Sequence, residues 1–230
     1  MELEEFKNKG YFLRRSLVKN VSEILGSMQE QRLQEPPEVR FNHVPSFLLE
    51  TYASICDWIV SILGEEFEFV ETHFANLPSG YRSSGKWHMD GKGLVMTRDG
   101  SIHDLPEFQL LVGLYLSDMS LPQRGQLRVA PSGHLTMQEF FRRAAGELAA
   151  LDASRASGVE LFKRLESENH FFLQSLNACP GDVVFAHSML PHAISSNTGP
   201  IRHAIYFRVG RYKTTGLAAL TDIWRGFVCS

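Results

Sequence analysis

Within the run Lys86-Trp87-His88-Met89-Asp90-Gly91, an imidazole and a carboxylate stand two positions apart, close behind the turn-forming stretch LPSGYRSSG. On an extended chain successive side chains alternate between faces, so His88 and Asp90 project to the same side and can converge on one ion. Two imidazoles and one carboxylate make the facial set of a non-heme iron site, with three coordination positions left open. The pair alone is weak support, because nine His in 230 residues, with a similar number of Asp, produce roughly 0.3 His-x-Asp pairs by chance. A second imidazole has to come from elsewhere. The segment PGDVVFAHSMLPHAISSNTGPIRHAIYFRV offers His187, His192 and His203 beside strand-like runs, and spacing does not choose among them.

The elements that must position these groups fall into two parts. The first 65 residues read as helical: Leu17, Val18, Val21, Ile24, Leu25 and Met28 recur at helical spacing, and Pro36-Pro37 ends that element. A second helix is expected from Ser46 to Leu63, burying Leu49, Tyr52, Ile55, Cys56, Ile59 and Leu63. After Gly64 the pattern changes to short β-like runs separated by turns: FEFVETHFA, GKWHMDG, FQLLVGLYLSD, GQLRVAP, GDVVFAH and IRHAIYFRVGRY. Strands without helices between them predict an antiparallel sandwich or barrel. Residues 135 to 170, rich in Ala, Leu, Glu and Arg, predict a helical insertion within it.

Composition narrows the function classes. A chain of 230 residues that is 43% hydrophobic and 21% charged is expected to fold as one domain around a large core. A net charge of -3 shows no basic field of the kind that displaces counterions from phosphates, so no nucleic-acid partner is expected. Cys56, Cys179 and Cys229 are an odd number at wide spacing with no CxxC, which fits a reducing compartment, and a cytoplasmic protein is expected. The opening MELEEFKNKGYFLRRSL lacks the pattern of a secretory signal, and the apolar run SFLLETYASICDWIVSILG carries Glu50 and Asp57, so no membrane association is expected either. Oligomeric state leaves no mark in the sequence.

Four blocks in order, WHMDG, LLVGLYLSD, GQLRVAPSGHL and PGDVVFAHSMLPHAISSNTGPIR, resemble the phytanoyl-CoA dioxygenase-like family of Fe(II)/2-oxoglutarate-dependent oxygenases. The likeness spans roughly residues 66 to 210. The family's third block usually ends Pro-Gly-Ser-His, whereas this chain has Pro131-Ser132-Gly133-His134. The resemblance implies a mainly β fold with flanking helices: a double-stranded β-helix, or jelly-roll, core over 65–230, with helices over 1–64 and an insertion at about 135–170. It implies His88, Asp90 and His192 as iron ligands, since His192 precedes a short polar run and then Arg202, and His187 competes for the third place. Arg202 would grip the far carboxylate of 2-oxoglutarate, a task suited to the planar guanidinium fork.

If Arg202 points inward, alternation along IRHAIYFRV carries Tyr206 and Arg208 to the same face and turns His203 away. Tyr206 then neighbours the co-substrate, and Gln109, at the start of LLVGLYLSD, is a further candidate for contacting it. The resemblance implies dioxygen as a partner, with succinate and carbon dioxide as co-products, and because the chain is compact for the family a small-molecule substrate, a small metabolite or biosynthetic intermediate, is expected over a bulky acyl-CoA. An intact Asp90 favours hydroxylation or another hydrogen-abstraction outcome, because halogenating relatives carry Gly or Ala at that position. Against this stands a metal-independent β-sandwich that binds a sugar or metabolite, in which His88 and His192 are ordinary hydrogen-bonded residues. Trp87, Arg128, His134, His43, His73, His103 and His170 are read as core, structural or solvated, and Arg82, Lys86 and Arg98 as surface cations that would favour an acidic substrate if they flank the mouth.

Overall fold

The computed structural model describes residues 2–34, 39–89, 95–96, 102–103, 108–144, 146, 164, 167–211, 222–224 and 226–229. The chain begins with α1 (Glu2–Lys9), β1 (Tyr11–Arg14), α2 (Val21–Glu30), β2 (Val39–Phe41), a 3-10 turn at Ser46–Leu48 and α3 (Leu49–Leu63). Then follow β3 (Glu68–Leu77), β4 (Val95–Met96), β5 (Ile102–His103), β6 (Leu110–Tyr115), β7 (Leu127–Val129) and α4 (Gly133–Arg143). The last strands are β8 (Gln174–Ser175), β9 (Val183–His187), β10 (His192–Ile194) and β11 (Arg202–Gly210).

Six strands form one antiparallel sheet in the order β1-β9-β6-β11-β3-β2, three form a second in the order β10-β7-β8, and β4 pairs with β5. From β8 to β11 successive strands alternate between the two larger sheets, as in a jelly roll. The central strands are apolar on both faces because both faces are covered. From β11, Ile205, Phe207 and Val209 pack with Val112, Leu114 and Phe185 against Ile24 and Met28 of α2 and Ile55 and Ile59 of α3. Ala204 and Tyr206 turn the other way, meeting Leu111, Val184 and Ala186 of the same sheet and Leu127 and Val129 of the other. Two-sided burial explains why these strands read as continuous apolar runs.

The N-terminal part, expected to be helical, also contributes strands: β1 and β2 flank the large sheet at its two edges, β1 on β9 and β2 on β3. Strands of four and three residues are too short for alternation to register, and the charges of Arg14 and Arg40 suit sheet edges. The segment Ser46–Leu63 is long and apolar enough to cross a membrane by length and composition, yet it buries Ile55, Ile59, Ile62 and Leu63 in the core. Leu49, expected on the buried face, is exposed because the helix begins there. Of the 135–170 insertion, α4 is described through Arg143 and most of the remainder lies outside the described residues.

The exchanged pair in Pro131-Ser132-Gly133-His134 has a structural counterpart. Ser132 takes a left-handed conformation at φ 64°, donates its hydroxyl to the Asn8 carbonyl at 2.7 Å and so ties α4 to α1. Gly133 is the position that tolerates no side chain, since a Cβ there would stand 2.8 Å from Pro191 Cδ.

Candidate metal centre

Extended backbone meeting a sheet edge creates the site. β10 is an outer strand of the three-stranded sheet, and His88 bridges to its first residue, His192, in antiparallel fashion. The two residues exchange both backbone hydrogen bonds at 2.8 Å, His88 N–H to the His192 carbonyl and His192 N–H to the His88 carbonyl. Directly opposed residues present their side chains on one face, and the imidazole centroids stand 4.3 Å apart. His192 Nδ1 lies 2.8 Å from the Leu190 carbonyl. A carbonyl only accepts, so Nδ1 carries the proton and Nε2 is the nitrogen with the lone pair, the tautomer a metal ligand needs. Asp90 lies outside the described residues, and among those described no three His, Cys, Asp or Glu groups converge.

Arg202 opens β11 opposite Leu77 and is 3% exposed. Its Nε donates to the Gly125 carbonyl at 3.1 Å, one terminal nitrogen to the Ala75 carbonyl at 2.9 Å, and the other to the Tyr206 hydroxyl at 3.0 Å. Three of five N–H donors are engaged in this way, which leaves one on each terminal nitrogen. Among the described residues no carboxylate pairs with Arg202. A buried guanidinium without a counter-charge is costly, so the position suits an incoming anion. Tyr206 is buried beside it, with the guanidinium carbon 5.8 Å from the ring centre. The ring has room because its cross-strand partner is Gly113, where a Cβ would meet Tyr206 Cε1 at 2.7 Å.

His88, His192, Arg202 and Tyr206 line one cavity of about 280 Å³ between the sheets. The two competing histidines stand elsewhere. His187 receives the Met189 N–H on Nδ1 at 3.0 Å, its Nε2 lies 2.9 Å from the Ile223 carbonyl, and its ring stacks on Phe227. Both its nitrogens are committed to backbone. His203 faces away from Arg202 and bonds Asn76 Oδ1 at 2.8 Å, while burial first and the Arg202 charge second push its pKa down. Gln109 is also apart from Arg202: its N–H bonds the Val209 carbonyl at the far end of β11, and its side-chain oxygen accepts from the Arg211 N–H at 2.8 Å. Seven residues at about 3.3 Å each separate Val209 from Arg202, too far for one small diacid to touch both.

Among the residues read as bland, Trp87 packs edge-on against Phe171, and Arg128 sits near the Leu173 carbonyl. Burial pushes His134 down to about 4, a shift partly offset by its hydrogen bond with the Lys7 carbonyl. Arg82 and Lys86 are exposed, whereas Arg98 lies outside the described residues. His73, read as structural, lines the cavity together with Arg40 and Arg208. Alternation in FEFVETHFA and IRHAIYFRV places His73 and Arg208 on inward faces, so a signal exists for both; the three-residue strand holding Arg40 carries none.

No protein-family model matches the chain, and no curated protein matches it in sequence. Solved structures do match in shape. HygX from Streptomyces hygroscopicus, with nickel and 2-oxoglutarate bound, aligns at TM-score 0.64 and 14% identity over 94% of this chain and 88% of its own. SnoK, a non-heme alpha-ketoglutarate-dependent carbocyclase from nogalamycin biosynthesis, aligns at TM-score 0.63 and 16% identity over 90% of this chain and 82% of its own. The chain has the fold of the 2-oxoglutarate-dependent non-heme enzymes. EctD from S. alaskensis with bound Fe shares the same jelly roll at TM-score 0.60 and 16% identity, over 94% of this chain and 84% of its own. At such identities the likeness lies in how strands are packed, and the jelly-roll core expected from the sequence is the one observed.

Proposed function

We propose that the chain is an Fe(II)/2-oxoglutarate-dependent dioxygenase acting, as a single domain, on a small molecule. The observation that carries this reading is the His88–His192 pair sharing one cavity with a buried arginine that has no carboxylate partner among the described residues. His88, His192 and Asp90 would hold the iron. Arg202 would hold the far carboxylate of 2-oxoglutarate on its two remaining N–H groups, with Tyr206 fixing the guanidinium. Iron and 2-oxoglutarate together supply dioxygen activation, giving succinate, carbon dioxide and an oxidised C–H position on the substrate.

The protein's own part is positioning. The Leu190 carbonyl orients the His192 ring, the backbone bridge fixes His88 beside it, and Leu111, Leu127 and Ile194 give the cavity apolar walls that limit water. SnoK is a carbocyclase and SnoN, of similar fold, an epimerase, so the fold admits several outcomes after hydrogen abstraction. Asp90 in the carboxylate position favours these over halogenation. The three free cysteines support a reducing, cytoplasmic setting. The metal-independent binding reading does not account for the two opposed imidazoles of His88 and His192 at the cavity, and it is the weaker of the two.

The deciding experiment is anaerobic titration of the purified protein with Fe(II) and 2-oxoglutarate. A weak visible charge-transfer band is expected, followed by succinate formation on admitting air. No band at saturating 2-oxoglutarate would overturn the reading.

A further inference from the structure

At the Arg202 end of the cavity three side chains offer hydrogen-bond donors with no acceptor for them among the described residues. Arg202 keeps one N–H on each terminal nitrogen after its bonds to Gly125, Ala75 and Tyr206. The Tyr206 hydroxyl accepts from Arg202 at 3.0 Å, and its own proton has no acceptor among the described residues. The third side chain is Tyr115, fully buried, whose hydroxyl has no hydrogen-bond partner among the described residues either. A buried hydroxyl left unpaired costs stability, and a bound acceptor repairs the loss.

Sheet register brings the two phenols together. Tyr115 is opposed to Ala204 and Tyr206 to Gly113 on the paired strands β6 and β11, which makes the tyrosines diagonal neighbours on one face. Both pack in the cluster between the sheets with Ala75 and Ala204, whose methyl groups take little space beside the rings. Burial first and Tyr206 second push the Tyr115 pKa well above 10, while the Arg202 charge opposes the shift, so the phenol keeps its proton and is a donor. The two hydroxyls are near enough to interact but are not aligned for a hydrogen bond. Tyr206 lines the cavity and Tyr115 does not, so the influence of Tyr115 on a ligand there passes through Tyr206.

We propose that Tyr115 is a positioning residue for the co-substrate, acting through Tyr206. When the far carboxylate of 2-oxoglutarate meets Arg202, Tyr206 turns its proton to a carboxylate oxygen. Its own oxygen, already taking one Arg202 N–H, then accepts the Tyr115 proton on its second lone pair. Each link in this chain of donors polarises the next, and the orphaned hydroxyl is satisfied only in the loaded protein. The identity of the ligand rests on the oxygenase reading, whereas the donor chain needs only a carboxylate at Arg202.

The test compares 2-oxoglutarate with 2-oxopentanoate, which keeps the chelating end but lacks the far carboxylate, in anaerobic titrations of the Fe(II)-loaded protein. Tyr115→Phe should raise the Kd for 2-oxoglutarate about fivefold and leave the constants for 2-oxopentanoate and Fe(II) unchanged. Tyr206→Phe should cost 2-oxoglutarate at least about tenfold, and adding Tyr115→Phe to it should cost nothing further, because the link is already cut. Removing an unpaired hydroxyl should not lower the melting temperature of the unliganded protein, so folding is not at risk. Wild-type 2-oxoglutarate affinity in Tyr115→Phe, an equal loss for both oxo acids, or the same loss repeated in the Tyr206→Phe background overturns the proposal. A wild type that shows no band but binds glutarate, with Tyr115→Phe weakening glutarate only while Tyr206 is present, overturns the oxygenase reading and keeps the donor chain. A normal band with 2-oxoglutarate affinity unmoved by Tyr115→Phe does the reverse, and neither a band nor glutarate binding overturns both.

Discussion

His187 and His192 lie five residues apart in one stretch of chain, and the structure gives them opposite work. His187 ends β9 in the six-stranded sheet, where two backbone partners and the Phe227 ring enclose it. His192 starts β10 in the other sheet, where one nitrogen is tied to the Leu190 carbonyl and the ring stands beside that of His88 at the cavity. The chain changes sheets between them. What separates a packing histidine from a candidate ligand is therefore the turn at Ser188–Pro191, with nothing in the side chains themselves to distinguish the two.

That contrast can be broken most directly by truncating each ring. His192→Ala should remove the visible band altogether, lowering iron affinity by at least about 100-fold, which metal titration would measure. His187→Ala should keep the band and instead lose about 3 kcal/mol of stability in urea melts, through a cavity and two lost hydrogen bonds. The opposite pattern would move the third ligand to His187.

A finer version of the comparison uses neighbours on opposite faces of β11. Arg202→Ala should raise the Kd for 2-oxoglutarate by about 100-fold, close to 3 kcal/mol, with iron binding retained. His203→Ala, one position on, should leave that constant near wild type. Equal loss of iron and 2-oxoglutarate in Arg202→Ala would undo the role given to the guanidinium.

The smallest effect concerns His134, whose ring lies 5.4 Å from that of His187. Burial holds its pKa at about 4, below the ordinary value of 6.5, and Nδ1 has no hydrogen-bond partner among the described residues. The unfolded chain thus binds the proton more readily than the folded one. Stability from this group is fully present above about pH 6.5 and declines as pH falls toward 4, by about 1 kcal/mol at pH 5.5. Thermal melts against pH should show this decline in the wild type and a flatter profile in His134→Gln.

Strands long enough to repeat are legible in the amino-acid pattern. In β11, the split between Arg202, Ala204 and Tyr206 on one face and Ile205 and Phe207 on the other is the one observed. Short strands are not legible in this way: β1, β2, β8 and β10 have two to four residues, too few for alternation to stand out. Arg40 is hidden along with β2, although His73 and Arg208 share visible inward patterns. Gln109 adjoins an inward strand, which makes it a candidate for the co-substrate, but it adjoins the wrong end. Strand ends are assigned by register, which pairs residues some hundred positions apart.

By itself the sequence determined the chemistry on offer: imidazoles, a carboxylate and an arginine at spacings a β chain can use, within a chain apolar enough to fold around them. Local spacing encodes which side of a strand each residue takes, because alternation is a property of the backbone. Only the tertiary structure decided which histidine meets His88, which arginine is buried with no carboxylate partner among the described residues, and that Arg40 joins Arg208 in the cavity lining. Those outcomes depend on sheet order and register, set by contacts between distant segments.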